Sequence, residues 1–161
     1  MKFSSQEEYG LRCLLQLARL GDGESLTIPQ ITANEGLTEP NVAKLLGLLR
    51  RDGFIVSTRG QSGGYRLARP AEEILIGDVL NSLGGRLYDD GFCDRHGGAD
   101  EQCVHLNNCS LTALWGRIQS AVDKVIYQVS LADLVADGAM QPTVSLRSMS
   151  TFKRPKAGGR L

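Results

Sequence analysis

No apolar run in this chain approaches the length of a membrane span. Glu7, Glu8 and Arg12 interrupt the stretch where a signal peptide needs its apolar centre. Both absences predict a cytoplasmic protein with no membrane contact, in a compartment that keeps thiols reduced. There is no Cys-x-x-Cys pair, and neither histidine, His96 or His105, sits in a recognisable catalytic setting. That argues against a thiol enzyme, and the chain is expected to be no enzyme at all. Net charge is also missing, with 18 basic residues against 18 acidic ones.

What is present is an uneven distribution of that charge. Residues 1–37 carry net −2, residues 38–69 net +4, residues 70–137 net −7 and residues 138–161 net +5. A local basic block inside a neutral protein is the pattern of one DNA-contacting face, although an ordinary solvated face gives the same numbers. The length, 161 residues, suits one domain or a small domain with an accessory element, and the 42% apolar content supports a core.

Along the chain, residues 5–20 predict a helix. Glu8, Arg12, Gln16 and Arg19 form its polar stripe, and Leu11, Leu14, Leu15 and Ala18 line another face. Cys13, among Tyr9, Leu17 and Leu20, reads as a small buried residue. A short helix fits Thr27 to Glu35, with Thr27 as N-cap and Pro29 in its first turn. After the Gly36-Leu37 turn, a third helix starts at Thr38 and presents Val42, Leu45, Leu46 and Leu49 as its apolar face. This is a helix-turn-helix pattern. Two strands follow, Phe54–Thr58 and Tyr65–Ala68, joined by the tip Arg59-Gly60-Gln61-Ser62-Gly63-Gly64. A helix-turn-helix with a hairpin makes a winged helix. Gly63 and Gly64 allow close approach to another chain, and Arg59 suits a narrow minor groove. In the third helix, Thr38, Asn41 and Lys44 face the bases, and Arg50 and Arg51 at its end suit phosphates or the helix dipole.

A short helix is expected over 74–84. A long helix from Ser110 to Val129 carries a stripe of Leu111, Leu114, Ile118, Val122, Val125 and Val129. That stripe can pack on the winged helix or serve as a dimer seam, and the seam is the preferred reading. Ser130 caps a final turn over 131–135. The division expected is a winged-helix domain over 1–72, a short helix and cysteine loop over 73–109, a dimerisation helix over 110–137 and a basic flexible tail over 138–161.

Between the short and long helices, Cys93, Cys103 and Cys109 crowd into a segment with Gly91, Gly97, Gly98 and five acidic residues. A segment so poor in apolar residues gains from a metal that folds it. Three thiols cannot all pair, and thiolates suit iron–sulfur clusters and zinc.

Three motifs then point to one family. The run Arg59-Gly60-Gln61-Ser62-Gly63-Gly64-Tyr65-Arg66-Leu67, the opening Glu8-Tyr9-Gly10-Leu11-Arg12, and Cys109 followed by Ala113-Leu114-Trp115 resemble the bacterial iron–sulfur winged-helix transcriptional regulators that include IscR and NsrR. The resemblance spans residues 1–137. It implies a mainly α protein, a winged helix-turn-helix DNA-binding domain with a long C-terminal dimerisation helix. It also implies a homodimer on a palindromic double-stranded DNA operator, and a cluster held by Cys93, Cys103, Cys109 and a fourth residue.

Two departures bear on that cluster. The gap from Cys93 to Cys103 is longer than in IscR-like and NsrR-like members, so two-iron and four-iron types both stay open. Thr112 stands where IscR-like members place a ligand histidine. NsrR-like members use an N-terminal carboxylate from the partner subunit, which corresponds to Glu8 here. Glu8 is the first choice for the fourth ligand, although Glu8 and Arg12 at i, i+4 could be a simple surface pair. His96 and His105 are the alternatives. The chain is therefore expected to be a regulator that answers to redox, nitric oxide or iron–sulfur status. The competing readings are a zinc- or thiol-stabilised regulator without a redox cluster and a dimeric adaptor that has lost DNA.

Overall fold

The helix starts are set by short local motifs in the computed structural model, which describes residues 3–21, 23–60, 63–96 and 109–139. Helix α1 (Ser5–Ala18) opens on a capping box. The Ser4 hydroxyl accepts the Glu7 amide at 3.2 Å, and the Glu7 carboxylate accepts the Ser4 amide at 2.7 Å. Helix α2 (Ile28–Glu35) repeats the device with Thr27 and Gln30, holds Pro29 in its first turn, and stops at Gly36 with φ 65°. Each such cap stabilises its helix by about 1 kcal/mol. Helix α3 (Glu39–Arg51) begins at Thr38, whose hydroxyl makes no capping bond.

The predicted stripe of α3 is the centre of the core: Val42, Leu45, Leu46 and Leu49 are all buried. They meet Cys13, Leu14 and Leu17 of α1, Ile31 of α2, and Phe54 and Ile55. Each such leucine contributes about 1.5–3 kcal/mol by leaving water. Gly10 is buried because the segment that carries Leu83 passes close to α1; a Cβ there would lie 2.5 Å from the Leu83 side chain. That contact explains the glycine in the opening motif.

Strands β1 (Ile55–Thr58) and β2 (Gly64–Leu67) pair antiparallel in the register Ile55↔Leu67, Val56↔Arg66, Ser57↔Tyr65 and Thr58↔Gly64. Leu26 adds a third, short edge: it exchanges both backbone hydrogen bonds with Tyr65, at 3.0 and 2.8 Å. Helix-turn-helix and hairpin thus form a winged helix, and the chain is mainly α.

After a single 3-10 turn at Ala71–Glu73 come α4 (Ile76–Gly84), α5 (Phe92–Arg95), α6 (Ser110–Ile126) and α7 (Leu131–Ala139). Helix α5 lies where the sequence suggested only loop; one turn is too short to show periodicity. Helix α6 stops three residues earlier than expected because the chain turns back to the core. There Leu75 bridges Ser130, the Ile76 amide donates to Val129 at 2.9 Å, and the Leu131 amide donates to Ile74 at 2.8 Å. Ser130 caps α7 as anticipated, accepting the Asp133 amide at 3.1 Å. That helix runs to Ala139 rather than ending after one turn. Leu131 is fully buried against the winged helix.

The apolar stripe of α6 divides. Val122, with Ile126 beside the stripe, faces a pocket shared with Leu80 of α4, and Val129 packs on the core. Leu111, Leu114 and Val125 stay 57%, 45% and 64% exposed. No helix among the described residues is long and apolar enough to cross a membrane. The expected tail beyond Ala139 lies outside the described residues.

Candidate functional site

Helix α3 turns a continuous face to solvent, with Thr38, Lys44 and Arg50 exposed and Asn41 half-buried. Of the two arginines at its end, Arg51 is occupied. It binds Asp52 at 2.8 Å, and together with the hydroxyl of Ser82 from α4 it holds the Asp52 carboxyl below its ordinary pKa. Arg50 has no ion-pair partner among the described residues and is the free cation of the pair.

At the wing, Arg59 is exposed directly after β1. Gly60 adopts φ 117°, and its carbonyl accepts the Gly63 amide at 2.9 Å, closing the tip. Gln61 and Ser62 lie outside the described residues. Gly64 has an internal reason to be glycine, since a Cβ would lie 2.6 Å from the Leu26 carbonyl oxygen. A Cβ on Gly63 would lie 2.9 Å from the Gly60 oxygen. Arg66 and Arg69, which the sequence did not single out, are also exposed, and both line a groove with the end of α1, Arg69 with its guanidinium 5.5 Å from the Phe54 ring centre. Their common signal was the basic block itself.

The thiols occupy a second region. Cys93 sits half-buried on α5, and Cys109 is the half-buried N-cap of α6; both are free. Cys103 and His105 lie outside the described residues. The Thr112 hydroxyl, then its amide and that of Leu111, lower the Cys109 pKa, although the Cys109 side chain makes no capping hydrogen bond to α6. So Thr112, unsuited as a ligand, serves the neighbouring thiolate instead. Beside Cys93, the Phe92 ring stacks on His96 at 4.2 Å and approaches Tyr88 at 5.1 Å and Trp115 at 6.4 Å. His96 donates through Nδ1 to the Phe92 carbonyl at 2.7 Å, which leaves Nε2 as its only site for a metal.

The start of this segment is fastened to α6 by Gln119, which is only 6% exposed. Gln119 accepts the Tyr88 amide at 2.9 Å and donates to Asp123 at 2.7 Å, and Asp123 pairs with Arg86. The Glu8 carboxylate is exposed on α1 with no hydrogen bond or ion pair among the described residues. The surface pair with Arg12 does not form. Arg12 instead binds the Glu35 carboxylate at 2.7 Å and its carbonyl at 2.8 Å, and Gln16 adds a bond of 2.6 Å. Among the described residues of the single chain, no group of three or more His, Cys, Asp or Glu side chains converges to hold a metal.

These environments set a reactivity order. Burial pushes the Cys13 thiol up to about 11, whereas Cys109 is lowered. At neutral pH, metal-free protein is expected to lose Cys109 and Cys93 to iodoacetamide, with Cys109 faster than a free thiol. Cys13 should react only after unfolding. Peptide mass mapping over time checks this, and equal labelling of Cys13 in folded protein would contradict its burial.

Comparison with known proteins agrees with this architecture. Residues 3–137 match the Rrf2 family model, described as an iron-dependent transcriptional regulator. The protein rrf2 of Nitratidesulfovibrio vulgaris is 32% identical over 142 residues, covering 88% of this chain and 92% of that protein. Among solved structures, T. potens IscR superposes with a TM-score of 0.69 at 26% identity, covering 88% of this chain and 93% of that one. The oxidised form of Staphylococcus aureus CymR gives 0.65 at 30% identity, covering 84% and 96%. With a winged helix, a basic outer face on it, and a family match over nearly all the described residues, this chain belongs to the Rrf2 family of transcriptional regulators.

Proposed function

We propose that the chain is a homodimeric, iron–sulfur-cluster-containing regulator that binds a palindromic operator and responds to redox, nitric oxide or iron–sulfur status. The observation that carries the cluster is the pair of free, half-buried thiols, Cys93 and Cys109, placed on α5 and at the head of α6. The donor set fits such a group. Cys93, Cys103 and Cys109 supply thiolates, the ligands iron–sulfur clusters favour. Arg12 is committed to Glu35, which leaves the Glu8 carboxylate free for a centre held between subunits. When bound, the cluster supplies a site open to oxidants and nitric oxide.

The dimer reading rests on the exposed Leu111, Leu114, Trp115 and Val125 of α6, a face too apolar to be left in water. On DNA, Thr38 and Asn41 of each protomer meet base edges, Lys44 reaches guanine or phosphate, Arg50 meets phosphate, and Arg59 enters the minor groove. Gly63 and Gly64 keep the wing tip thin beside it.

A thiol-based regulator without a cluster is the second reading. It is favoured by the activated Cys109 and by the likeness to a protein solved in an oxidised form.

Selection of duplexes from a randomised library tests the DNA reading and supplies a working operator. Arg59→Ala should weaken that duplex by about 1–3 kcal/mol. Asn41→Ala should relax base preference more than it lowers affinity, and binding should fall steeply with salt. If no duplex is enriched, or both variants bind like wild type, the proposed face is wrong.

A further inference from the structure

Helix α3 carries a glycine that the protein itself gives no reason to keep. Gly47 lies in the helix interior, two turns from its start, where glycine is the least favourable residue after proline. Its φ is not among the positive values that demand glycine. It is exposed, and a Cβ built on it meets nothing within 4 Å. Other helical glycines differ. Gly10 makes room for Leu83, Gly77 for Tyr127 and Gly84 for Glu7. Gly116 of α6 also has open space, but it is half-buried and borders the Arg86–Asp90 segment.

The neighbours of Gly47 indicate what approaches it. Lys44 and Arg50 stand three residues to either side, on the same helix face. Both are exposed and neither has an ion-pair partner among the described residues. A bare patch of helix backbone between two free cations fits a phosphate chain.

We infer that Gly47 is the point where the sugar–phosphate wall of the DNA groove meets the backbone of α3. The missing side chain lets the wall close against the helix while Lys44 and Arg50 neutralise the phosphates beside it. This rests on the reading of α3 as the DNA-contacting helix, and it adds a contact that carries no base preference.

Stability and binding should therefore move in opposite directions in Gly47→Ala. Thermal unfolding of the free protein should rise by about 3 °C, since alanine suits a helix and nothing blocks it. Affinity for both the library-selected duplex and a mixed-sequence duplex should fall about tenfold, the usual size of a one-methyl overpacking penalty. Gly47→Leu should remove binding to both. Lys44→Ala is the companion variant. Should Gly47→Ala bind both duplexes like wild type while Lys44→Ala weakens them, the inference fails and the α3 reading stands. If neither variant changes binding, both fail. A loss confined to the selected duplex would place a base edge there and overturn the backbone contact. A lower unfolding temperature would mean an internal role for Gly47 and overturn it as well.

Discussion

Protein purified without air is expected to be coloured, with iron and acid-labile sulfide in amounts that give one cluster per chain. The reason is the chemistry of the cysteine segment. It is short of apolar side chains, rich in glycine and acid, and cannot repay its own ordering entropy by burial. Serine in place of Cys93, Cys103 or Cys109 should each abolish the colour, because a hydroxyl is a poor substitute for a thiolate on iron. Cys13→Ser should keep it. Cys13 is fully buried in the core, so serine there should instead cost about 1–3 kcal/mol for an unpaired hydroxyl. The four variants thus separate loss of ligand from loss of core packing: three lose absorbance and match the stability of metal-free wild type, and one keeps absorbance but is less stable than wild type in the metal-free form as well. Colourless protein with stoichiometric zinc would favour a structural metal. Colourless protein with no metal, in which oxidant alone abolishes DNA binding, would favour the thiol reading.

Features written in neighbouring residues were legible from the sequence. Thr27 as N-cap, the Val42–Leu49 stripe and the burial of Cys13 all follow from local chemistry and helical periodicity. Features that depend on distant partners were not. The i, i+4 spacing offered Arg12 as a surface partner for Glu8, but Arg12 binds Glu35 of α2 through two bonds instead. Gly64 looked like an adaptation to DNA alone, yet the passing Leu26 carbonyl already forbids a side chain there. Likewise, nothing local announces that the chain after α6 returns to the Ile74–Ile76 backbone, or that Gln119 holds the Tyr88 amide. Of the proposed donors, Cys93, Cys109 and Glu8 have defined surroundings, and Cys103 lies outside the described residues.

Those surroundings make Glu8→Ala the most discriminating variant for the sensing mechanism. The carboxylate is exposed and unpaired on α1, one turn before the Arg12–Glu35 contact that joins α1 to the helix-turn-helix. A ligand at Glu8 from a second subunit would therefore sit on an element tied to the DNA-binding unit, and its release would be felt there as a change in how the two winged helices are held. Glu8→Ala should leave three cysteines able to hold a cluster, but a less stable one with an altered visible spectrum. Its DNA binding should no longer respond in the same way to oxidant or nitric oxide, because the link between subunits is gone. Glu8→Cys should tighten the cluster and blunt the response, since thiolate holds iron more firmly than carboxylate does. His96→Ala and His105→Ala, made singly, are the controls. His96 keeps Nε2 free for a metal, so its replacement tests the local alternative directly; with Glu8 as the ligand it should disturb the aromatic stack and spare the spectrum. If either histidine variant alters the spectrum and Glu8→Ala does not, the fourth ligand lies within the cysteine segment, and the switch between subunits loses its physical basis.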